Sequence, residues 1–538
     1  MNPTGADILV ASLARHGVQH VFGMPGSHSV AIYDALQRQG QIRTILARNE
    51  QAGAFMADGY ARASGRPGVI CTTAGPGATN ALSGVAEAWA DSVPVLLLAA
   101  QVNSDRMHLE CGAYHEIDLE AIFKPVTKWC ATVRSLDQIP AMVDAAFEAM
   151  TTGRPRPATI ILPQDLMGRE ATREETVKLS QGKLIPTTRT PLPQPAAEAI
   201  ARAVELLSTA ERPMVLAGGG ALWGGAAAEI RAVAERLDAP VITTLNGKGI
   251  LDERDRLSLG HARSARAKAA LPHADATLAV GCRFTEVMTD WRRMRVPETL
   301  VQIDLAADQI GMNYPVAVGI VADARAALSA LLKGLPERRR SQWGALWDQA
   351  RAARPARPEW LIDTLRAELP DDAVVFTDAC EMGYRMHADW PAYGPRAFFY
   401  PSNYITLGWG FPAAIGAAVA RPEVPVASVS GDGSFVMAAQ ELATAVRYRL
   451  RLIAIVHNDG AYGAIRNIQK HKYDARYLDT DLNNPDFVQL AGSFRVPAHR
   501  AHTASEFSVA LRQTLAEHGP SLIEVPDDWR FLRDLSNP

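Results

Sequence analysis

The sequence predicts an α/β protein made of three doubly wound parallel-sheet domains, the middle one Rossmann-like. Three observations carry that expectation. Short apolar runs alternate with helical patterns along most of the 538 residues, as in parallel sheets joined by crossover helices. Two polar, proline-dotted stretches interrupt the rhythm, one from Arg169 to Ala196 and one between Gly334 and Trp360 that contains ERRR and ARPARPE. The blocks they leave, 1–185, 190–335 and 355–538, are each of ordinary domain size.

In chain order, the first block opens on an amphipathic helix beginning near Thr4 and continues with the strand-like runs VQHVFG, IRTILA, PGVICTTAGPG, VPVLLLAA and ATIILP. The middle block carries RPMVLAGGGAL, APVITTLNGKGIL and ATLAVGCRF, a succession of strands each followed by glycine. It lacks GxGxxG, and the chain lacks GxxxxGK[ST], so NAD and ATP lose their strongest sequence support. In the last block PVASVS reads as a strand, GDGS as a turn, FVMAAQELATAVRYRL as helix and RLIAIVHND as the next strand. This βαβ unit sets Asp432 and Asp459, 27 positions apart, at the carboxyl ends of neighbouring strands. Open α/β sheets bind their ligands at those ends.

Composition narrows the function. With 48% hydrophobic and 21% charged residues the chain is globular, and a net charge of −3 gives no field to recruit nucleic acid or an anionic membrane. Cys71, Cys111, Cys130, Cys282 and Cys380 are scattered and form no CxxC pair, which argues against a disulfide framework or zinc and fits a reducing compartment. No apolar run reaches membrane-spanning length and the N-terminus lacks a basic, signal-like region, so the expected location is cytoplasmic. The expected partner is a small molecule.

Around Asp432, Gly431 and Gly433 let the backbone approach an anion, and the amides of Gly433 and Ser434 at the helix start suit a phosphate. Magnesium takes hard oxygen ligands and commonly bridges carboxylates to phosphates, a task Asp432 and Asp459 can share. Either tetrapeptide alone is more simply a turn. Together, GDG followed one βαβ unit later by Asn458-Asp459 resembles the diphosphate and metal motif of thiamine-diphosphate enzymes. That family most often has two asparagines there; Asp459 is a harder, charged substitute. The resemblance also assigns Asn458 to the cofactor and the carbonyl of Ala461 to the metal.

Residues 45–84, ILARNEQAGAFMADGYARASGRPGVICTTAGPGATNALSG, resemble the pyrimidine-binding domain of the acetohydroxyacid synthase and 2-oxo acid decarboxylase family. The resemblance makes Glu50 the carboxylate that activates the cofactor's aminopyrimidine; without it, Glu50 reads equally well as a helix N-terminal acid. FGMPGSHSVAIYDAL resembles the family's first active-site loop, SVPVLLLAAQV the strand ending in its active-site glutamine, Gln101, and TLGWGFPAAIGAAVA its cofactor cradle, with Leu407 as the wedge between the cofactor rings. Ala379-Cys380-Glu381-Met382 match the loop near the diphosphate, with unusual identities. The family's architecture implies active sites shared across a subunit interface, hence a homodimer at least and commonly a homotetramer.

The implied reaction is decarboxylation of a 2-oxo acid. Protonation and release then give an aldehyde, transfer to a second carbonyl gives an acetohydroxy acid, and electron transfer to FAD gives an oxidase. Gly218-Gly219-Gly220 and Asn246-Gly247-Lys248-Gly249 leave FAD open. DATLAVGCRFTEV resembles the synthases, with Arg283 placed to hold a second carboxylate, although Thr285-Glu286-Val287 departs from their pattern. Ile468 stands where the synthases have tryptophan, Tyr114-His115 where they have Phe-Gln, and Ser27-His28 where they have small residues. A serine and two histidines are suited to moving protons near neutral pH, which favours aldehyde release or an unusual carboligation. Were Asp378 or Glu381 to face the pocket, a substrate with a cationic tail would be matched; a solvated loop is the simpler reading of both.

Overall fold

Eighteen short strands, counted among the described residues, collect the β-branched and aliphatic runs into three six-stranded parallel sheets. The computed structural model describes residues 2–109, 112–181, 192–337, 340–355 and 359–527. Cys111, most of the expected first linker after Gln181, parts of ERRR and ARPARPE, and the end of the last block from 528 lie outside them.

The first sheet takes β1 (His20–Gly23), β2 (Arg43–Leu46), β3 (Gly68–Thr72), β4 (Val95–Gln101), β5 (Trp129–Thr132) and β6 (Ala158–Pro163) in the order β2-β1-β3-β4-β6-β5. β4, VLLLAAQ, is buried at every position, as a central parallel strand covered on both faces must be. β5 was not among the expected strands: WCAT is an edge strand whose residues are all only partly buried, so it lacks a continuous apolar run. The expected first helix runs Gly5–Arg15, and Thr4 caps it with a reciprocal Thr4–Asp7 capping box.

The middle sheet takes β7 (Pro213–Ala217), β8 (Val241–Thr243), β9 (Ser258–His261), β10 (Ala276–Val280), β11 (Thr299–Asp304) and β12 (Val318–Val321) in the order β12-β11-β10-β7-β8-β9. Renumbered from its own first strand this is 6-5-4-1-2-3, the Rossmann order read from the other edge. Its glycines serve close backbone packing: a Cβ on Gly220 would stand 2.7 Å from the Cα of Gly281. The third sheet takes β13 (Val374–Thr377), β14 (Phe398–Phe399), β15 (Val426–Gly431), β16 (Leu452–Asn458), β17 (Ala498–Arg500) and β18 (Ser521–Pro526) in the order β14-β13-β15-β16-β18-β17. That repeats the strand order of the first sheet, so the outer two sheets share one topology and the middle one differs.

The chain forms two compact units. Unit 1 contains residues 1–190 with 406–422 and 438–452; unit 2 contains 191–405, 423–437 and 453–538. Within unit 1 the helices Glu50–Ser64 and Gly410–Ala420 pack backbone to backbone. A Cβ on Gly59 would strike the carbonyl of Ala413, and one on Gly416 that of Met56, so only glycine permits the approach.

Two expectations in the last block need correction. GDGS is not a separate turn: Gly431 ends β15 and Asp432 is the first residue of the helix Asp432–Val436. The helical run after it is broken into that helix, a 3₁₀ turn Ala439–Glu441 and the helix Leu442–Arg447. Ala438, at φ −132° and ψ 9°, leaves the helical region where the chain passes from unit 2 to unit 1.

Candidate active site

Unit 1 carries the Glu50 side. β2 delivers the chain to Asn49, whose side chain caps the next helix by accepting from the Gln51 amide at 2.8 Å. Glu50 is the first helical residue and is 8% exposed, so it is no solvated helix-end acid. Asn80, on the helix Pro76–Asp91, donates from Nδ2 to Glu50 Oε2 at 3.0 Å. A Cβ on Gly77 would come within 2.7 Å of Thr73 Cγ2 and 3.1 Å of Glu50 Oε1. The bare helix start therefore makes the space in which Glu50 and Thr73 meet.

Thr73 also borders the imidazoles. His28 Nδ1 lies 3.4 Å from Thr73 Oγ1 and 3.1 Å from Ser27 Oγ, and the His28 amide donates to Thr73 Oγ1 at 3.4 Å. The His28, Tyr114 and His115 rings form a stack, with centroids 3.7 Å apart for Tyr114–His115 and 5.5 Å for His28–His115. Burial, and then the neighbouring His115, pull the His28 pKa below its ordinary value. His115 is held at φ +69°, and its buried Nδ1 has no hydrogen-bond partner. Strain of this kind, about 1–3 kcal/mol, persists where surrounding structure imposes it.

Gln101 ends β4 with its amide used at both ends, accepting from the Val102 amide at 2.9 Å and donating to the Ile117 carbonyl at 2.7 Å. It ties the strand end to the loop that carries Tyr114 and His115. Leu407 is 37% exposed, which excludes plain core packing. Its flanks are fixed: Thr406 donates to Glu87 Oε2 from its amide at 3.0 Å and its hydroxyl at 2.8 Å, and Trp409 Nε1 donates to Asp58 Oδ2 at 2.8 Å. Arg62 bonds both Asp58 and Asp91, at 2.8 and 3.0 Å. Three buried acids around one guanidinium leave a surplus negative charge, and burial followed by Asp91 pushes the Glu87 carboxyl up to about 8.

Unit 2 carries the Asp432 side. Asp432 Oδ1 accepts from the Gly433 amide at 2.7 Å; Oδ2 accepts from the Gly460 amide at 2.8 Å and Asn484 Nδ2 at 2.6 Å. The loop 460–462 is pinned by pairing with 480–482, including an Ala461–Asp481 bridge. Asn458 Nδ2 donates to Glu524 and its Oδ1 accepts from Asn484 at 3.0 Å, so Asn458 ties β16 to β18 and to Asn484. Burial, and then Asp432, push the Asp459 carboxyl up to about 6; burial raises Asp432 as well. Two neighbouring carboxylates that each resist ionisation suit a divalent cation, and Asp459 Oδ2 faces Gly463, where a Cβ would stand 2.6 Å away. Ser434, buried, donates to the Gly431 carbonyl at 3.0 Å and stiffens the junction.

The expected substrate residues divide. Asp378, fully buried at the end of β13 with Oδ1 accepting from the Ala379 amide, lies on no solvated loop. Glu381 begins the helix Glu381–Asp389 with its side chain 35% exposed, 3.5 Å from Asn467 Nδ2 and 4.0 Å from Arg385 Nε. Asn467 and the 44% exposed Ile468 share the helix Gly463–Lys472. Arg283 stands in the middle sheet just beyond β10, its carbonyl accepting from Asn313 Nδ2. Thr73, Asn80, Glu441 and Asn484 escaped sequence reasoning. The asparagine in GPGATN and the pair in DLNNPDF were its available signals, and neither had a visible partner.

Residues 3–122 match the thiamine pyrophosphate enzyme N-terminal TPP binding domain, 200–331 the central domain and 379–525 the C-terminal TPP binding domain. Curated relatives include a "Probable acetolactate synthase large subunit" of Methanocaldococcus jannaschii, 34% identical across 97% of this chain and 92% of its own. A "Probable 2-ketoarginine decarboxylase AruI" of Pseudomonas aeruginosa is 35% identical across 97% of this chain and 94% of its own. The acetolactate synthase isozyme 3 large subunit of Escherichia coli is 33% identical across 95% and 92%. Among the described residues no helix is long and apolar enough to cross a membrane.

Proposed function

The chain belongs to the thiamine pyrophosphate enzymes, in the family of acetolactate synthases and 2-oxo acid decarboxylases, and from that premise we propose that it decarboxylates a 2-oxo acid with a cationic side chain and releases the aldehyde. The observation that carries release is the His28–Tyr114–His115 stack bordered by Thr73 and Glu50. It supplies two imidazoles to move a proton where, by the resemblance, the synthases carry small residues and a Phe-Gln pair.

Bound thiamine diphosphate supplies the carbon nucleophile and the electron sink. Glu50 exchanges a proton with the cofactor's aminopyrimidine, and Asn80 keeps one carboxylate oxygen turned away from that exchange. Leu407 offers the exposed apolar surface a wedge requires. Asp432, Asp459 and the Ala461 carbonyl would hold Mg²⁺, and the Gly433 position stays bare because a Cβ would meet Tyr462 at 2.7 Å. The two sides work across subunits of a homodimer or larger homo-oligomer.

The substrate class rests on Glu381. Among the described residues its carboxylate has long contacts, 3.5 Å to Asn467 Nδ2 and 4.0 Å to Arg385 Nε, and Arg385 is engaged by Glu359, so the acid can pair with an incoming cation. The name of the Pseudomonas relative points to the same chemistry. A panel of guanidino, amino, aliphatic and aromatic 2-oxo acids, with product identification, tests the proposal. The expected result is turnover of the guanidino or amino acids to aldehydes, lost in Glu381→Gln by roughly tenfold or more in kcat/KM. Preference for pyruvate with an acetohydroxy acid as product would establish the synthase reading instead.

A further inference from the structure

Glu441 is a buried acid of unit 1 that has no part in the proposed reaction. It is fully buried, and burial pushes its carboxyl up to about 7, so the fold maintains it against its desolvation. What it does there is specific. Glu441 Oε1 and Oε2 accept from the Arg48 amide at 2.9 and 3.2 Å, and the Asn49 amide bonds the same carboxyl. Thr444 Oγ1 lies 2.7 Å from Glu441 Oε2 and 2.9 Å from the Leu46 carbonyl. One turn on, Tyr448 Oη accepts from the Leu46 amide at 2.8 Å and donates to the Thr44 carbonyl at 3.1 Å. The segment 441–448 thus grips the chain from Thr44 to Asn49 at the Thr44 carbonyl, the Leu46 amide and carbonyl, and the Arg48 and Asn49 amides, and the next residue is Glu50.

From this we infer that Glu441 is a positioning residue for Glu50, setting the carboxylate's reach by fixing the two peptide units before it. The inference rests on the reading of Glu50 as the residue that exchanges a proton with the cofactor. The chemistry explains why the residue is an acid. The Arg48 amide reaches both carboxylate oxygens while the Asn49 amide and the Thr444 hydroxyl claim the same group; glutamine offers one oxygen and would turn an N–H against an N–H. Asn80 fixes the Glu50 side chain from one direction, but it leaves the backbone free to carry Cα sideways. Glu441 removes that freedom.

The test uses the full-length holoenzyme and compares Glu441→Gln, Glu441→Asp and Glu50→Gln. Hydrogen exchange of the amides of Arg48 and Asn49 should speed up roughly tenfold or more in Glu441→Gln, since each loses a charged acceptor. Exchange of the cofactor's C2 proton, followed by NMR after acid quench, should slow by roughly tenfold to a hundredfold, as displacement of a reacting group by about 1 Å predicts. kcat should fall in parallel while KM and the calorimetric affinity for thiamine diphosphate stay within about twofold, because only the proton transfer is misaligned. Glu441→Asp, which keeps both oxygens, should recover part of the C2 exchange, and it carries the test alone if the glutamine variant does not fold. Unchanged C2 exchange in a variant whose Arg48 and Asn49 amides have lost protection overturns the inference while Glu50 keeps its role. Normal C2 exchange in Glu50→Gln overturns the reading of Glu50 itself, and the inference with it.

Discussion

The Glu50 side and the Asp432 side solve opposite electrostatic problems. In unit 1 every acid near the site has a protein partner: Asn80 for Glu50, Arg62 for Asp58 and Asp91, the Thr406 amide and hydroxyl for Glu87, and main-chain amides for Glu441. In unit 2 Asp432 and Asp459 receive backbone and amide donors, yet Asp432 raises the cost of ionising Asp459. His457, the imidazole beside them, is itself paired with Asp527 at 3.2 Å. One side partners its acids within the protein; the other concentrates negative charge suited to a metal ion. The difference teaches that position is fixed in the first and charge is held in reserve in the second.

The sharpest way to break this contrast is Asp432→Ala. It removes a carboxylate that accepts three bonds and frees Asn484 and the Gly460 amide, so the loop 460–462 keeps only its pairing with 480–482. Magnesium and thiamine diphosphate affinity should fall together by roughly a hundredfold or more, since metal and diphosphate bind as one unit. Calorimetry with and without Mg²⁺ measures both; unchanged affinity for either would mean that the charge concentrated in unit 2 serves some other end.

The contrast was only half legible in the sequence. Asp432 and Asp459 stood out because each lies at a strand end beside glycine, and Glu50 through the resemblance of residues 45–84; both signals are local in the chain. The partners are not local: Asn80 lies 30 positions from Glu50, Asn484 lies 52 from Asp432, and Glu441 lies 393 from Arg48. An isolated buried acid in QELAT looks like any helix acid until the amides it accepts from are known. Gln101 was legible as a strand-end residue, but its bonds to the Val102 amide and the Ile117 carbonyl, which tie it to its own loop, were not. The sheet orders were equally hidden, since strand succession says nothing about which side of the first strand the chain turns to.

A second, smaller test probes the neutralised side through pH. Glu87 is pushed from its ordinary 4.5 up to about 8 in the fold. Between those values the folded state binds more protons than the unfolded one, so Glu87 makes stability fall as pH rises through that window. Glu87→Gln cannot ionise and should gain on the wild type from about pH 5 to above pH 8, by at most about 1.4 kcal/mol per unit. Thermal midpoints of both proteins across this range measure the difference. A constant offset would mean that Glu87 stays ionised beside Arg62 throughout, and that the Leu407 flank is held by a full charge.

The mildest change goes to the residue that departs from the family pattern. Asp459→Asn keeps an oxygen for the metal, and the asparagine Oδ1 can still accept from the Ala461 amide as Asp459 Oδ1 does at 3.2 Å. It deletes the like charge facing Asp432, so the metal-free protein should become more stable by on the order of 1 kcal/mol. Magnesium affinity should weaken only severalfold, because a neutral oxygen replaces a charged one without losing its place. Metal-free melting curves and magnesium titrations of the same variant read the two effects separately. They must move in opposite directions if unit 2 trades its own stability for attraction to the ion; a variant that loses both would mark Asp459 as a structural residue whose bond to Ala461 matters more than its charge.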